Sequence, residues 1–111
     1  MKDILQKKIF DIAYRANVPI DLLPSINISN DYAKPYIEIQ DNYYYYVIRE
    51  RGEEYERTLY FDIKKLLYRV FDDISFDMAK MINFNSESGE YVFYLLEKKK
   101  EIFNNMKSLI G

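Results

Sequence analysis

Residues 36–61 read YIEIQDNYYYYVIRERGEEYERTLYF. Two turn signals divide this stretch, Asp41-Asn42 and Gly52-Glu53. They supply residue types that accept the positive φ demanded by two-residue hairpin loops. Three strands follow, over residues 36–40, 43–51 and 54–61. Side chains alternate along a strand, so pairing outward from each turn assigns every residue to a face. One face collects Ile37, Ile39, Tyr44, Tyr46, Ile48, Leu59 and Phe61. The other collects Tyr36, Glu38, Gln40, Tyr43, Tyr45, Arg49, Arg51, Glu54 and Glu56, with Arg51 opposite Glu54 and Arg49 opposite Glu56. The apolar face is expected to pack on helices, and the polar face to meet water with its charges paired across strands. A slip of one residue would lose that sorting.

Working outward, residues 3–16 carry Ile4, Leu5, Ile9, Ile12, Ala13 and Ala16 at helical spacing, with Asn17 and Pro19 as stop signals. Residues 17–35 hold all three prolines and read as a structured loop with a short turn at Asp21-Leu22-Leu23. Leu22, Leu23 and Ile26 are expected to tack it to the core. Beyond the strands, Asp62 suits an N-cap. Ile63, Leu66, Leu67, Val70, Phe71 and Ile74 then recur at helical spacing. Phe76, Met78, Ala79, Met81 and Ile82 follow, either on the same helix or on a second one after Ser75. Residues 83–89 read as a loop. A last helix over about 90–109 turns Val92, Leu95, Leu96, Ile102, Phe103, Met106 and Leu109 inward, and Lys98-Lys99-Lys100 reads as a solvated surface whose stems cover apolar area. The expected architecture is α+β: an N-terminal helix, a three-stranded antiparallel meander, and two to three C-terminal helices packed on one face of the sheet. It forms a single domain over residues 1–111.

Composition closes off most chemistry. The chain has no histidine, no cysteine and only three glycines. Histidine-based triads, cysteine nucleophiles, thiolate zinc sites and glycine-rich phosphate loops are therefore absent. Asp72, Asp73 and Asp77, and likewise Glu53, Glu54 and Glu56, read as solvated surface acids. No catalytic residue, cofactor site or metal site is expected. No apolar run approaches the ~20 residues of a membrane span, and the opening MKDILQKK breaks its apolar residues with charges, unlike a signal peptide. A cytoplasmic protein is expected.

The compositional excess is in tyrosine, with 12 residues. Tyrosines on an open sheet can stack nucleic-acid bases, but phosphate binding needs surrounding positive charge. Here Arg49 and Arg51 face Glu38, Glu54 and Glu56, a local balance of −1, and the whole chain carries −2. Tyrosine and arginine together fit a protein-binding face better. The candidate contacts are Tyr43, Tyr45, Arg49, Arg51, Glu54 and Glu56. The alternatives are an adaptor or subunit of another complex and a small nucleic-acid-binding domain.

From YYYYVIRERGEEYER at residues 43–57 through DIKKLLYRVFDDISFDMA at 62–79, the chain resembles the immunity protein 63 family of bacteria. The pattern runs from an aromatic strand through Arg-Glu-Arg-Gly-Glu-Glu to an Asp-led helix with Leu-Tyr and Phe, then a Met-Ala segment. Where that pattern leads one to expect tryptophan after Leu67-Tyr68, this chain has Arg69. The resemblance implies an antidote that neutralises a cognate polymorphic toxin by tight non-covalent binding.

Overall fold

The computed structural model describes residues 2–82 and 90–111; the loop expected over 83–89 lies outside them. Helix α1 spans Lys2–Arg15 and buries Leu5, Ile9, Ile12 and Ala13. Ile4, expected inward, is exposed. The helix stops where Asn17 enters the left-handed region (φ 56°). Val18 N–H then reaches back to Ala13 C=O at 2.8 Å, and Asn17 N–H to Tyr14 C=O at 3.3 Å. This pair of bonds is the Schellman closure, which satisfies carbonyls that the helix end leaves open. The next segment holds a short 3₁₀ turn at Ile20–Leu22, and Leu23 and Ile26 anchor it in the core.

That anchoring creates a strand the sequence reading lacked. Ser25–Ile26 forms β1 and pairs in parallel with β2, Tyr36–Gln40. The sheet is therefore four-stranded and mixed, in the order β1-β2-β3-β4, with β3 at Tyr43–Glu50 and β4 at Glu53–Tyr60. Asn27 (φ 60°) extends the cover over β2: its N–H donates to Ile37 C=O at 2.7 Å, and its Oδ1 accepts from Ile39 N–H at 2.8 Å.

The β2–β3 hairpin has the expected register, from Tyr36 opposite Val47 to Gln40 opposite Tyr43. The β3–β4 hairpin does not. Its turn is Arg51-Gly52, one residue earlier than expected, and both residues have positive φ (53° and 81°), the signature of a type I′ turn. Glu50 pairs with Glu53 and Arg49 with Glu54, then a bulge at Tyr55 sets Ile48 opposite Glu56, Tyr46 opposite Thr58 and Tyr44 opposite Tyr60. Every residue of β4 beyond the bulge thus changes face relative to the expectation, while Glu54, before it, stays on the face of Arg49. Glu56, Thr58 and Tyr60 turn toward the helices, and Leu59 and Phe61 lie exposed. Arg51 holds a backbone conformation that asparagine accepts more readily. Arg51→Asn should therefore raise stability by about 0.5 kcal/mol, read as a higher urea midpoint with an unchanged slope.

Asp62 caps α2, Ile63–Met81, accepting Lys64 N–H at 2.9 Å. The helix runs through Ser75 unbroken; that buried hydroxyl donates to Phe71 C=O at 2.7 Å. Helix α3, Glu90–Ile110, follows, so the C-terminal helices among the described residues number two. Leu66, Val70, Phe71 and Ile74 of α2 meet Leu5 and Ile9 of α1, Met106 of α3 and Ile37, Tyr44 and Tyr46 of the sheet in one core. Val92 and Leu96, expected inward, are exposed at 57% and 52%. Of the run Lys98-Lys99-Lys100 in α3, Lys99 reaches Asp72 at 3.2 Å across the α2–α3 seam.

Candidate functional site

The helices cover one face of the sheet, and the other face divides into two halves. The aromatic half is built on β3 and the end of β4. The Tyr43 ring meets Tyr45 edge-on at 5.7 Å and Phe61 at 6.0 Å between centroids. Phe61 is 73% exposed, and Leu59 and the half-buried Tyr43 and Tyr45 flank it. Such apolar area left in water on a rigid sheet is ready to be covered.

The polar half is a lattice of paired ions. Arg57 on β4 donates to both oxygens of Glu38 on β2, at 2.7 and 3.3 Å, and to Glu54 at 2.9 Å. Its guanidinium lies 5.1 Å from the Tyr45 ring centroid, so the lattice abuts the aromatic half. The hydrogen bond from Arg57 holds the Glu54 carboxyl below the ordinary range, and its acid partners raise Arg57 further above its own. Arg49 pairs with Asp31 at 3.5 Å. Asp31 also accepts Gly52 N–H at 2.6 Å, tying the segment before β2 to the hairpin tip. Together Arg49, Arg57, Glu38 and residues 29–32 line a depression of about 600 Å³. Tyr36 and Val47 point to this face but are buried, which corrects the expectation that Tyr36 meets water.

Of the six residues singled out from sequence, Tyr43, Tyr45 and Arg49 share the open face, and Glu54 joins them through Arg57. Arg51 stands in the turn. Glu56 is on the opposite side of the sheet: it accepts from Arg69 of α2 at 2.5 and 2.8 Å and from Thr58 Oγ1 at 2.7 Å. Arg69 continues to Asp73 at 3.0 Å, which in turn accepts the Tyr46 hydroxyl at 2.7 Å. The Arg69 guanidinium lies 4.5 Å from the Tyr46 ring centroid. Burial pushes the Tyr46 hydroxyl far above its usual range, with the adjacent Asp73 adding to the shift. This network clamps the β4 edge onto α2 and so fixes which residues the open face presents.

The open-face residues absent from the sequence reading are Arg57, Leu59, Phe61 and Asp31. The first three reach this face through the bulge at Tyr55: the earlier turn alone would set Arg57 opposite Tyr46 and Leu59 opposite Tyr44, on the helix side, and the extra residue moves them opposite Val47 and Tyr45. No turn or apolar signal in the sequence marks that bulge. The acids Asp72, Asp73 and Asp77 do not converge, since Lys99, Arg69 and Lys80 each draw one away. No helix among the described residues is long and apolar enough to cross a membrane.

The fold and this face define a two-layer α+β chain with an open, aromatic-edged sheet. The family model for immunity protein 63 matches residues 40–110, and the chain belongs to that family. The match begins at the end of β2 and runs to the last turn of α3, so it takes in both β3–β4 and the Arg69 clamp. No curated protein and no solved structure matched the chain.

Proposed function

We propose that this chain is an immunity protein that neutralises a cognate bacterial toxin by tight non-covalent binding, without catalysis, in the cytoplasm. The observation that carries the reading is the exposed Tyr43–Tyr45–Leu59–Phe61 cluster, set beside a charge lattice that is already internally paired, in a member of an immunity-protein family. Large aromatic area dominates binding energy at interfaces, and a surrounding polar rim excludes water from it. Lattice ions whose partners are already in place demand little of the toxin, so the aromatic half is the contact centre, with Tyr43, Tyr45, Leu59 and Phe61 as anchors and Arg49, Glu54 and Arg57 as rim. The absence of histidine and cysteine from the chain supports a role in binding.

Rescue by co-expression tests this. The large protein encoded immediately upstream is induced in a test bacterium with and without this chain. Growth arrest relieved by the chain, with the two proteins co-purifying, is the expected outcome. Toxicity that the chain does not relieve, or no toxicity, would leave an adaptor as the better account.

A further inference from the structure

The two edges of the sheet are treated differently. The outer edge of β2 is closed by β1 and by both the backbone and the side chain of Asn27. The outer edge of β4 is closed by nothing among the described residues: β4 ends the sheet order, and no backbone hydrogen bond outside the sheet reaches it.

The direction of its open groups follows from the ladder. Arg49 C=O accepts Ala33 N–H at 2.8 Å, on the β2 side of β3. Backbone groups alternate in direction along a strand, so Val47 and Tyr45 also face β2, and Ile48, Tyr46 and Tyr44 face β4. Their partners Glu56, Thr58 and Tyr60 close that ladder. The N–H and C=O of Arg57 and Leu59 are left pointing away from the sheet. Natural edges are blunted by charge and bulges. Here those devices stop halfway: Glu53, Glu54, the bulge at Tyr55, Glu56 and Arg57 guard the turn-proximal half, while Thr58, Leu59 and Tyr60 carry no charge.

We infer that the outer edge of β4, centred on Arg57 and Leu59, accepts an extended segment of the toxin as a fifth strand. This rests on the function proposed above and says how the partner is held. Two observations favour a toxin segment over a second copy of this chain. The bulge reverses the direction of the backbone groups at Tyr55, and α2 begins at Ile63; two copies could align edge to edge only along residues 57–61, whereas a foreign strand is not bound by that symmetry. The open face is also small. Three strands ~4.8 Å apart and ~20 Å long project roughly 300 Å², against ~800 Å² per partner in a stable complex. Strand addition beside Leu59 and Phe61 continues that face without a break and adds main-chain hydrogen bonds.

Amide hydrogen exchange on this chain, free and bound to the protein encoded upstream, tests the inference. The Arg57 and Leu59 amides should exchange freely alone and slow by at least 100-fold in the complex. Leu59→Pro removes the outward N–H without touching a ladder bond, and it should weaken binding at least tenfold beyond the loss produced by Leu59→Ala. If Leu59→Pro does not fold, the exchange data decide alone. A complex that leaves both amides unprotected overturns strand addition and leaves the immunity reading intact. Protection in the free chain that rises with its own concentration assigns the edge to a second copy and also overturns it. No complex at all removes the immunity reading, and this inference with it.

Discussion

Arg69→Ala should destabilise the fold by about 3 kcal/mol, a drop of roughly 15 °C in melting temperature for a chain of this size. Arg69 joins Glu56 of β4, Asp73 of α2 and the face of the Tyr46 ring. Its side chain and that of Glu56 are each 27% exposed, which places the loss at the lower end of the range for breaking a buried pair. Alanine leaves Glu56 facing the helices with only Thr58 as donor, and β4 loses its hold on α2. Arg69→Lys should recover less than half of the loss, because a single ammonium cannot serve both Glu56 oxygens and Asp73 at once. In a cycle with Glu56→Gln, a coupling of at least 1 kcal/mol is expected. Urea midpoints for the four proteins check this, and a loss below 1 kcal/mol for Arg69→Ala would refute the clamp.

The same pair sets a pH dependence. Hydrogen bonds from Arg69 hold the Glu56 carboxyl below its ordinary value of 4.5, outweighing the opposing effect of burial. A carboxyl whose pKa is depressed on folding binds fewer protons in the folded state. Its contribution is fully present above about pH 4.5 and is lost as pH falls through the lower folded value. Wild-type stability should therefore fall below pH 4.5, and Arg69→Ala should fall less steeply there, so the gap between the two narrows in acid. Glu54 is also depressed, but its partner Arg57 is unchanged in both proteins and its effect cancels in the comparison.

Arg69 also shows why the sequence reading succeeded on one hairpin and failed on the other. For β2–β3, turn chemistry and apolar sorting agree: Asp41-Asn42 and the alternating Ile37, Ile39, Tyr44 and Tyr46 select one register, and the structure has it. For β3–β4 a bulge intervenes. Sorting favours burying Leu59 and Phe61, and a two-residue turn at Arg51-Gly52 would by itself keep that sorting; the extra residue at Tyr55 reverses it and turns Glu56, Thr58 and Tyr60 inward. The reversal is accommodated because the inward side of β4 need not be apolar: Arg69 stands there to receive Glu56. Arg69 was legible as a departure from the family pattern, but its partner lies 13 residues away on another element and becomes visible only once the chain is folded. The short β1 escaped notice because two residues show no periodicity; only Asn27 and the burial of Ile26 mark it. The bounds of α1 and α3 were legible to about a residue, whereas the sequence left open whether α2 continues past Ser75. Val92 and Leu96 are exposed because α3 turns Leu95, Ile102 and Met106 toward its neighbours, so its first turns present the opposite side.

Tyr43→Ala with Phe61→Ala should weaken toxin binding by at least 100-fold while the melting temperature moves by less than about 3 °C. The asymmetry is the point of the test. Phe61 is largely in water in the free chain, so truncating it opens no cavity and removes little folding energy. In a complex the same ring, braced edge-to-face by Tyr43 and through it by Tyr45, would be desolvated at the centre of the contact. There a few aromatic anchors carry most of the binding energy, and 100-fold corresponds to about 2.7 kcal/mol. Tyr14 on α1, 85% exposed in the helical layer, is the control: Tyr14→Ala should leave affinity unchanged. Salt separates the two halves of the face. With Arg57 and Arg49 already engaged by Glu38, Glu54 and Asp31, affinity should change by less than about threefold between 50 and 300 mM salt. A steep salt dependence, paired with full binding by the Tyr43/Phe61 double variant, would move the contact to the charged half: the toxin would then be recognised by Arg49 and Arg57 after breaking their internal pairs, at the desolvation cost that such exchange carries.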